Sequence, residues 1–117
     1  MRKVKKTTRI SRENERLRER YKNLPADSLA IVDGLIDQAA FMRIELEDMR
    51  DDILAGGRVE LFSQSEKTDP YERERPVVRQ HAQMVRNYQN IIKQLDEKLP
   101  KDDLIGKDDG FESFAGL

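Results

Sequence analysis

The sequence predicts an all-α protein: a long antiparallel helical hairpin preceded by a short N-terminal helix, with room for a small β-hairpin in the connector. Three observations carry that reading. Two long stretches, one ending at Gly56-Gly57 and one opening at Pro76, place apolar residues at helical steps. Charged residues at 38% and hydrophobic ones at 37% of 117 residues favour thin helical layers over a thick core. No apolar run reaches the ~18 residues of a membrane span, and the basic N-terminal region lacks the hydrophobic centre of an export signal, so a cytoplasmic protein outside the membrane is expected. Cysteine is absent, which excludes disulfides and thiolate metal sites.

The first helix is expected over residues 10–22, ISRENERLRERYK, with only Ile10, Leu17 and Tyr21 as apolar contacts. So short and polar a helix needs packing elsewhere or a bound partner to hold it. Asn23-Leu24-Pro25 ends it, because proline disfavours helical geometry in the residue before it.

The second helix should start near Asp27 or Ser28, either of which can cap free amides, and stop at Gly56-Gly57. Ile31, Leu35, Met42, Leu46, Met49 and Ile53 form its seam, with Ala39 in the gap. Val32, Ile36 and Leu54 widen the seam, while Ala40, Phe41 and Ile44 leave the first half apolar on most sides.

The third helix is expected over residues 76–99, with proline in the first turn where its missing amide costs nothing. Val77, His81, Met84, Tyr88, Ile91 and Leu95 make its seam, broadened by Val78, Ala82, Val85, Ile92 and Leu99. An apolar arc of about 140° is wider than one partner helix covers. Each long helix should therefore touch more than one neighbour, and another copy of the chain is the economical candidate. Between the long helices, residues 58–63 alternate enough for a short strand or hairpin through Val59, Leu61 and Phe62.

Charge divides the chain into a basic arm with its short helix (1–24), a hairpin core (25–100) and an acidic, flexible tail (101–117). Residues 1–22 hold ten Lys or Arg against three Glu, whereas 23–100 hold ten against fifteen Asp or Glu. On the back of the third helix, Gln80, Gln83, Asn87, Asn90 and Gln94 make an uncharged polar stripe, and Arg79, Arg86 and Lys93 a cationic one. The second helix offers Asp33, Asp37, Glu47, Asp48, Asp51 and Asp52. A head-to-tail contact between one copy's acidic helix and the next copy's basic one would close a ring; both are equally readable as ordinary solvated faces.

The long helix closed by two glycines, the connector with Ser63-Gln64-Ser65-Glu66, Pro76-Val77-Val78, and the run Asn87-Tyr88-Gln89-Asn90-Ile91-Ile92-Lys93-Gln94-Leu95 together resemble small terminase subunits of tailed bacteriophages and prophages, in their short helical branch. The resemblance covers about residues 20–100. It implies a non-enzymatic component that assembles as a ring, binds double-stranded viral DNA and presents it to the large terminase subunit in an infected or lysogenic bacterial host. An N-terminal helix-turn-helix, present in the larger members, is not evident here, and no recognition helix with committed base readers is apparent.

The arm offers a physical route to DNA. Arg2, Lys3, Lys5, Lys6, Arg9, Arg12, Arg16, Arg18, Arg20 and Lys22 can neutralise phosphates, and arms gathered in a ring would act at high effective concentration. A solubilising tail without a partner is the plainer reading of the same residues. The subunit interface is expected to use Ile36, Phe41, Ile44, Arg73, Arg75, Arg79, Gln83, Arg86, Asn87, Asn90 and Lys93. Within it, the alternating charges of residues 72–75 would sit at the rim and set registry with a neighbour. Leu104, Ile105, Phe111 and Phe114 space the acidic tail as a peptide that orders in a partner's groove, with the large subunit as the partner the resemblance implies.

Catalytic equipment is not expected. His81, the single histidine, falls on a helix seam as a packed residue. The carboxylates lack His or Cys to complete a metal set, no nucleotide-binding loop is present, and no cofactor is anticipated. Two other classes stay open: a helical interaction or scaffold module with a basic arm, and a small dimeric transcriptional regulator.

Overall fold

The computed structural model describes residues 4–100; Arg2 and Lys3 of the arm and Leu104, Ile105, Phe111 and Phe114 of the tail lie outside them. The chain folds as α1 (Lys6–Tyr21), α2 (Ala26–Gly56), β1 (Val59–Phe62), β2 (Tyr71–Glu74) and α3 (Pro76–Asp96). α2 is the spine, with α1 and α3 both packed against it. At a rise of about 1.5 Å per residue its 31 residues span roughly 46 Å.

α1 begins four residues before the expected start. Its first turn has no side-chain cap; Lys6 and Arg9 hold it from outside, through carboxylates on α2. At its other end Leu17 and Tyr21 are buried, and Leu24 tucks under the turn with its N–H donated to the Tyr21 carbonyl at 3.2 Å.

α2 starts at Ala26 with Pro25 in the capping position, so neither Asp27 nor Ser28 serves as the cap. Asp27 instead lies in the first turn, where its charge faces the positive end of the helix dipole. The two glycines end the helix for different reasons. Gly57 takes φ +80°, a conformation side chains resist, and donates its N–H to Ile53 O at 2.8 Å. Gly56 makes room: a Cβ there would lie 2.6 Å from Arg75 Nη1.

The connector forms an antiparallel ribbon pairing Val59 with Glu74, Glu60 with Arg73, Leu61 with Glu72 and Phe62 with Tyr71. The β1 half is readable from alternation, whereas β2, the segment YERE, forms a strand where the sequence suggests a charged rim. α3 opens on Pro76 as expected and stops at Asp96, before the expected end, because its last amides switch to tighter bonds: Lys98 to Leu95 and Leu99 to Asp96.

The core comprises Leu17, Tyr21, Leu24, Val32, Ile36, Ala39, Ala40, Leu46, Tyr88 and Leu95. On α3 the expected seam faces inward, with Tyr88 and Leu95 buried. On α2 it is partly rotated. Val32, Ile36, Ala39, Ala40 and Ile44 are buried together with Leu46 of the expected seam; Leu35 and Met42 border the core, and seam residue Ile31 is 61% exposed. The buried positions span about 160° of the helical wheel because α2 must serve two helices at once. That is the extra neighbour its apolar girth called for, supplied in part by the chain's own α1 instead of a second copy.

Candidate nucleic-acid interface

The described cations of the arm fall into two groups. The first is laid along the acidic side of α2. Lys6 pairs with Glu45 and with Asp48 at 3.1 Å; Arg9 reaches Asp48 at 2.7 Å and Glu47 at 3.0 Å. Further along, Asn14 donates to Asp37 at 2.6 Å, and Arg18 pairs with Asp33 and with Asp37 at 3.0 Å. Partial burial works against the charge of Asp48, but Arg9 and Lys6 outweigh it and hold its pKa below the usual carboxylate value. α1 and α2 therefore close antiparallel as a charge zipper, and the α2 carboxylates assigned to a neighbouring subunit are largely engaged within the chain.

The second group lies on the outward side of α1. Lys5 and Arg12 are exposed and form no ion pair among the described residues. Arg16 and Lys22 are also exposed, each paired only with a glutamate three residues back in its own sequence, Glu13 and Glu19. Pairs of this kind contribute about 0–1 kcal/mol, so a polyanion can compete for them.

Where α1 ends, Arg20 and Tyr21 meet Asp96 of α3. Arg20 Nη2 lies 3.1 Å from Asp96 Oδ1, and the Tyr21 hydroxyl donates to the same oxygen at 2.8 Å. Burial first, and Asp96 second, push the Tyr21 hydroxyl well above the ordinary tyrosine value, which keeps it a proton donor. Sequence reading missed this knot. Its one signal was that Asp96 is the single acidic residue in α3.

The residues assigned to a subunit interface separate into three sets. Ile36 and Ile44 are 2% and 5% exposed inside the chain, whereas Phe41 is 45% exposed. Arg73 and Arg75 are turned inward: Arg73 bonds Glu60 at 2.6 Å and lies 3.5 Å over the Phe62 ring, and Arg75 bonds Asp52 at 2.7 Å and the Gly57 carbonyl at 2.7 Å. Arg79, Gln83, Arg86, Asn87, Asn90 and Lys93 are all exposed on the outer side of α3.

Most of the large apolar side chains left uncovered lie at the ribbon end, where Leu54 is 77%, Val59 52%, Leu61 74% and Tyr71 46% exposed; Val4, Ile31 and Phe41 are exposed elsewhere. No group of three or more His, Cys, Asp or Glu able to hold a metal occurs among the described residues, and no helix there is long and apolar enough to cross a membrane. His81 is half-buried on α3; burial, then the charges of Arg50 and Arg58, lower its pKa. Comparison with protein families, curated proteins and solved structures gives no match.

Proposed function

We propose that this chain is a non-enzymatic, DNA-binding subunit of a phage genome-packaging machine, similar in role to a small terminase subunit, which assembles with copies of itself and hands double-stranded DNA to the large subunit. The observation that carries this reading is the uncovered apolar ribbon end. Leu54, Val59 and Leu61 stand in solvent although three helices had the opportunity to cover them, and such clustered exposure marks a protein contact. A two-stranded ribbon is marginal on its own in water, so a partner surface gives it a purpose. The resemblance over residues 20–100 supplies the identity of the machine, and the outward cations of α1 and α3 supply affinity for phosphates.

The test joins mass photometry to a gel shift with duplex DNA at about 50 mM salt, a concentration low enough to preserve phosphate contacts. The proposal expects a species well above a dimer that retards duplex DNA. A monomer that leaves DNA unshifted would sink it.

One observation favours the scaffold-module reading instead. Lys6, Arg9 and Arg18 are already satisfied by α2 and Arg20 by Asp96 of α3, so half of the described arm's cations serve folding before they serve a ligand. Under that reading the protein binds a protein partner through the ribbon end and ignores DNA in the same gel.

A further inference from the structure

α3 carries an extended outward surface of cations and carboxamides. Within Pro76–Asp96 the single carboxylate is Asp96, at the flank of the outward face and already engaged by Arg20 and Tyr21. The outward arc from Arg79 to Lys93 therefore carries no acid of its own; Glu74 precedes it and Glu97 follows one turn after Lys93. Arg79, Arg86 and Lys93 recur there every seven residues, about 10 Å apart, with Gln83, Asn87 and Asn90 between them inside an arc of about 120°. All six are exposed. Arg86 and Lys93 have no ion pair among the described residues, and Arg79 has only Glu74 at 3.7 Å with its own side chain 80% exposed.

We propose that this face of α3 is the surface that enters the major groove of duplex DNA, with the cations on phosphates and the carboxamides toward base edges. This deepens the packaging reading and rests on it. Phosphates approaching the zippered side of α1 would meet the α2 carboxylates and would have to displace Lys6, Arg9 and Arg18 from them. On α3 neither obstacle exists. An acidic peptide would use only the N–H donors of an exposed Asn and Gln row, whereas an adenine edge engages both donor and acceptor of each carboxamide. The major groove of B-DNA, about 12 Å wide, admits one helix, while that of duplex RNA is too deep and narrow to be read this way. The sequence reads this stripe as solvated or intersubunit surface, since nothing in it reveals that half of the described arm's cations are engaged in folding.

The experiment measures fluorescence anisotropy of a labelled duplex of about 30 base pairs over about 50–200 mM salt, using the full chain, the α3 variant Arg79→Gln/Arg86→Gln/Lys93→Gln and the arm variant Lys5→Gln/Arg12→Gln. Mass photometry and circular dichroism accompany each. The α3 variant should bind at least about tenfold more weakly and lose up to about three units of salt slope, with helicity and oligomer size unchanged. The arm variant should lose less. Wild-type affinity in the α3 variant overturns the inference while leaving DNA binding, and so the packaging reading, intact. A changed oligomer size also overturns it, because the face would then lie between copies. A wild-type chain that ignores DNA removes the packaging reading itself. In Gln83→Ala/Asn87→Ala/Asn90→Ala, the affinity ratio between A·T-rich and G·C-rich duplexes should move toward one; an unchanged ratio overturns the groove placement.

Discussion

The Tyr21 hydroxyl bonds Asp96 at 2.8 Å across a separation of 75 residues, tying the end of α1 to the end of α3 beside the apolar cluster that holds Leu24 and Leu95. Arg20 shares the same carboxylate oxygen and lies 5.8 Å from the Tyr21 ring. Removing the acceptor leaves both donors unpaired in a largely desolvated place, so Asp96→Ala is expected to cost about 2–3 kcal/mol in urea denaturation. Tyr21→Phe leaves the Arg20 pair standing and should cost about 1 kcal/mol. Equal losses would mean that the hydroxyl carries the whole knot.

Much of the architecture was legible because helix periodicity is a strong signal. Gly56-Gly57 and Pro76 marked ends that the structure keeps, and the α3 seam through Tyr88 and Leu95 faces the core as the pattern implied. The rotation of α2 was not legible. Ile31, Leu35 and Met42 repeat as regularly as Val32, Ile36 and Ala39, yet Ile31 is exposed and Leu35 and Met42 only border the core, because a helix on each side centres the buried stripe on the second set. The fate of the charges was equally hidden. Arg9 and Asp48 lie 39 residues apart, and composition cannot tell a cation waiting for phosphate from one already paired.

The zipper predicts a salt effect confined to α1. Its grip on α2 relies on partly exposed ion pairs such as Lys6–Asp48 and Arg18–Asp37, which ions screen, whereas α3 is held by apolar packing. Amides in the first half of α1 should exchange with deuterium faster at about 0.5 M salt than at low salt, with the α3 amides near Tyr88 unchanged. Uniform acceleration of both helices would contradict this division.

His81 predicts a pH effect with a definite sign. Burial and the charges of Arg50 and Arg58 depress its folded pKa below the ordinary 6.5. Between the two values the unfolded chain holds the proton and the folded one does not, so protonation favours unfolding. Stability should be complete above about pH 6.5 and fall as pH drops toward the folded value. The melting temperature of His81→Gln should lack that step, and a step that survives the substitution assigns it to another group.

The glycine pair predicts two unequal losses. Gly57→Ala must hold a side chain at φ +80° and ψ −175°, a region nearly exclusive to glycine, and should lose about 1–3 kcal/mol. Gly56→Ala meets only the movable end of Arg75, so its cost should be the smaller, read as loosening of the Arg75–Asp52 pair. Thermal melts of both variants rank them.

The ribbon separates assembly from folding. One face is held together within the chain: Phe62 meets Tyr71 edge-on at 5.9 Å, and Arg73 covers Phe62 while bonding Glu60. The other presents Val59 and Leu61 beside Glu72 and Glu74, with no helix behind them. Because Leu61 is 74% exposed, Leu61→Ser removes almost nothing from the single chain and should change its stability by less than about 0.5 kcal/mol. If copies meet at this face, the same substitution puts a hydroxyl into their contact and should shift mass photometry toward smaller species. A chain that keeps its stability and also keeps its mass distribution has its assembly surface elsewhere, and Phe41 on α2 is then the next exposed side chain to change.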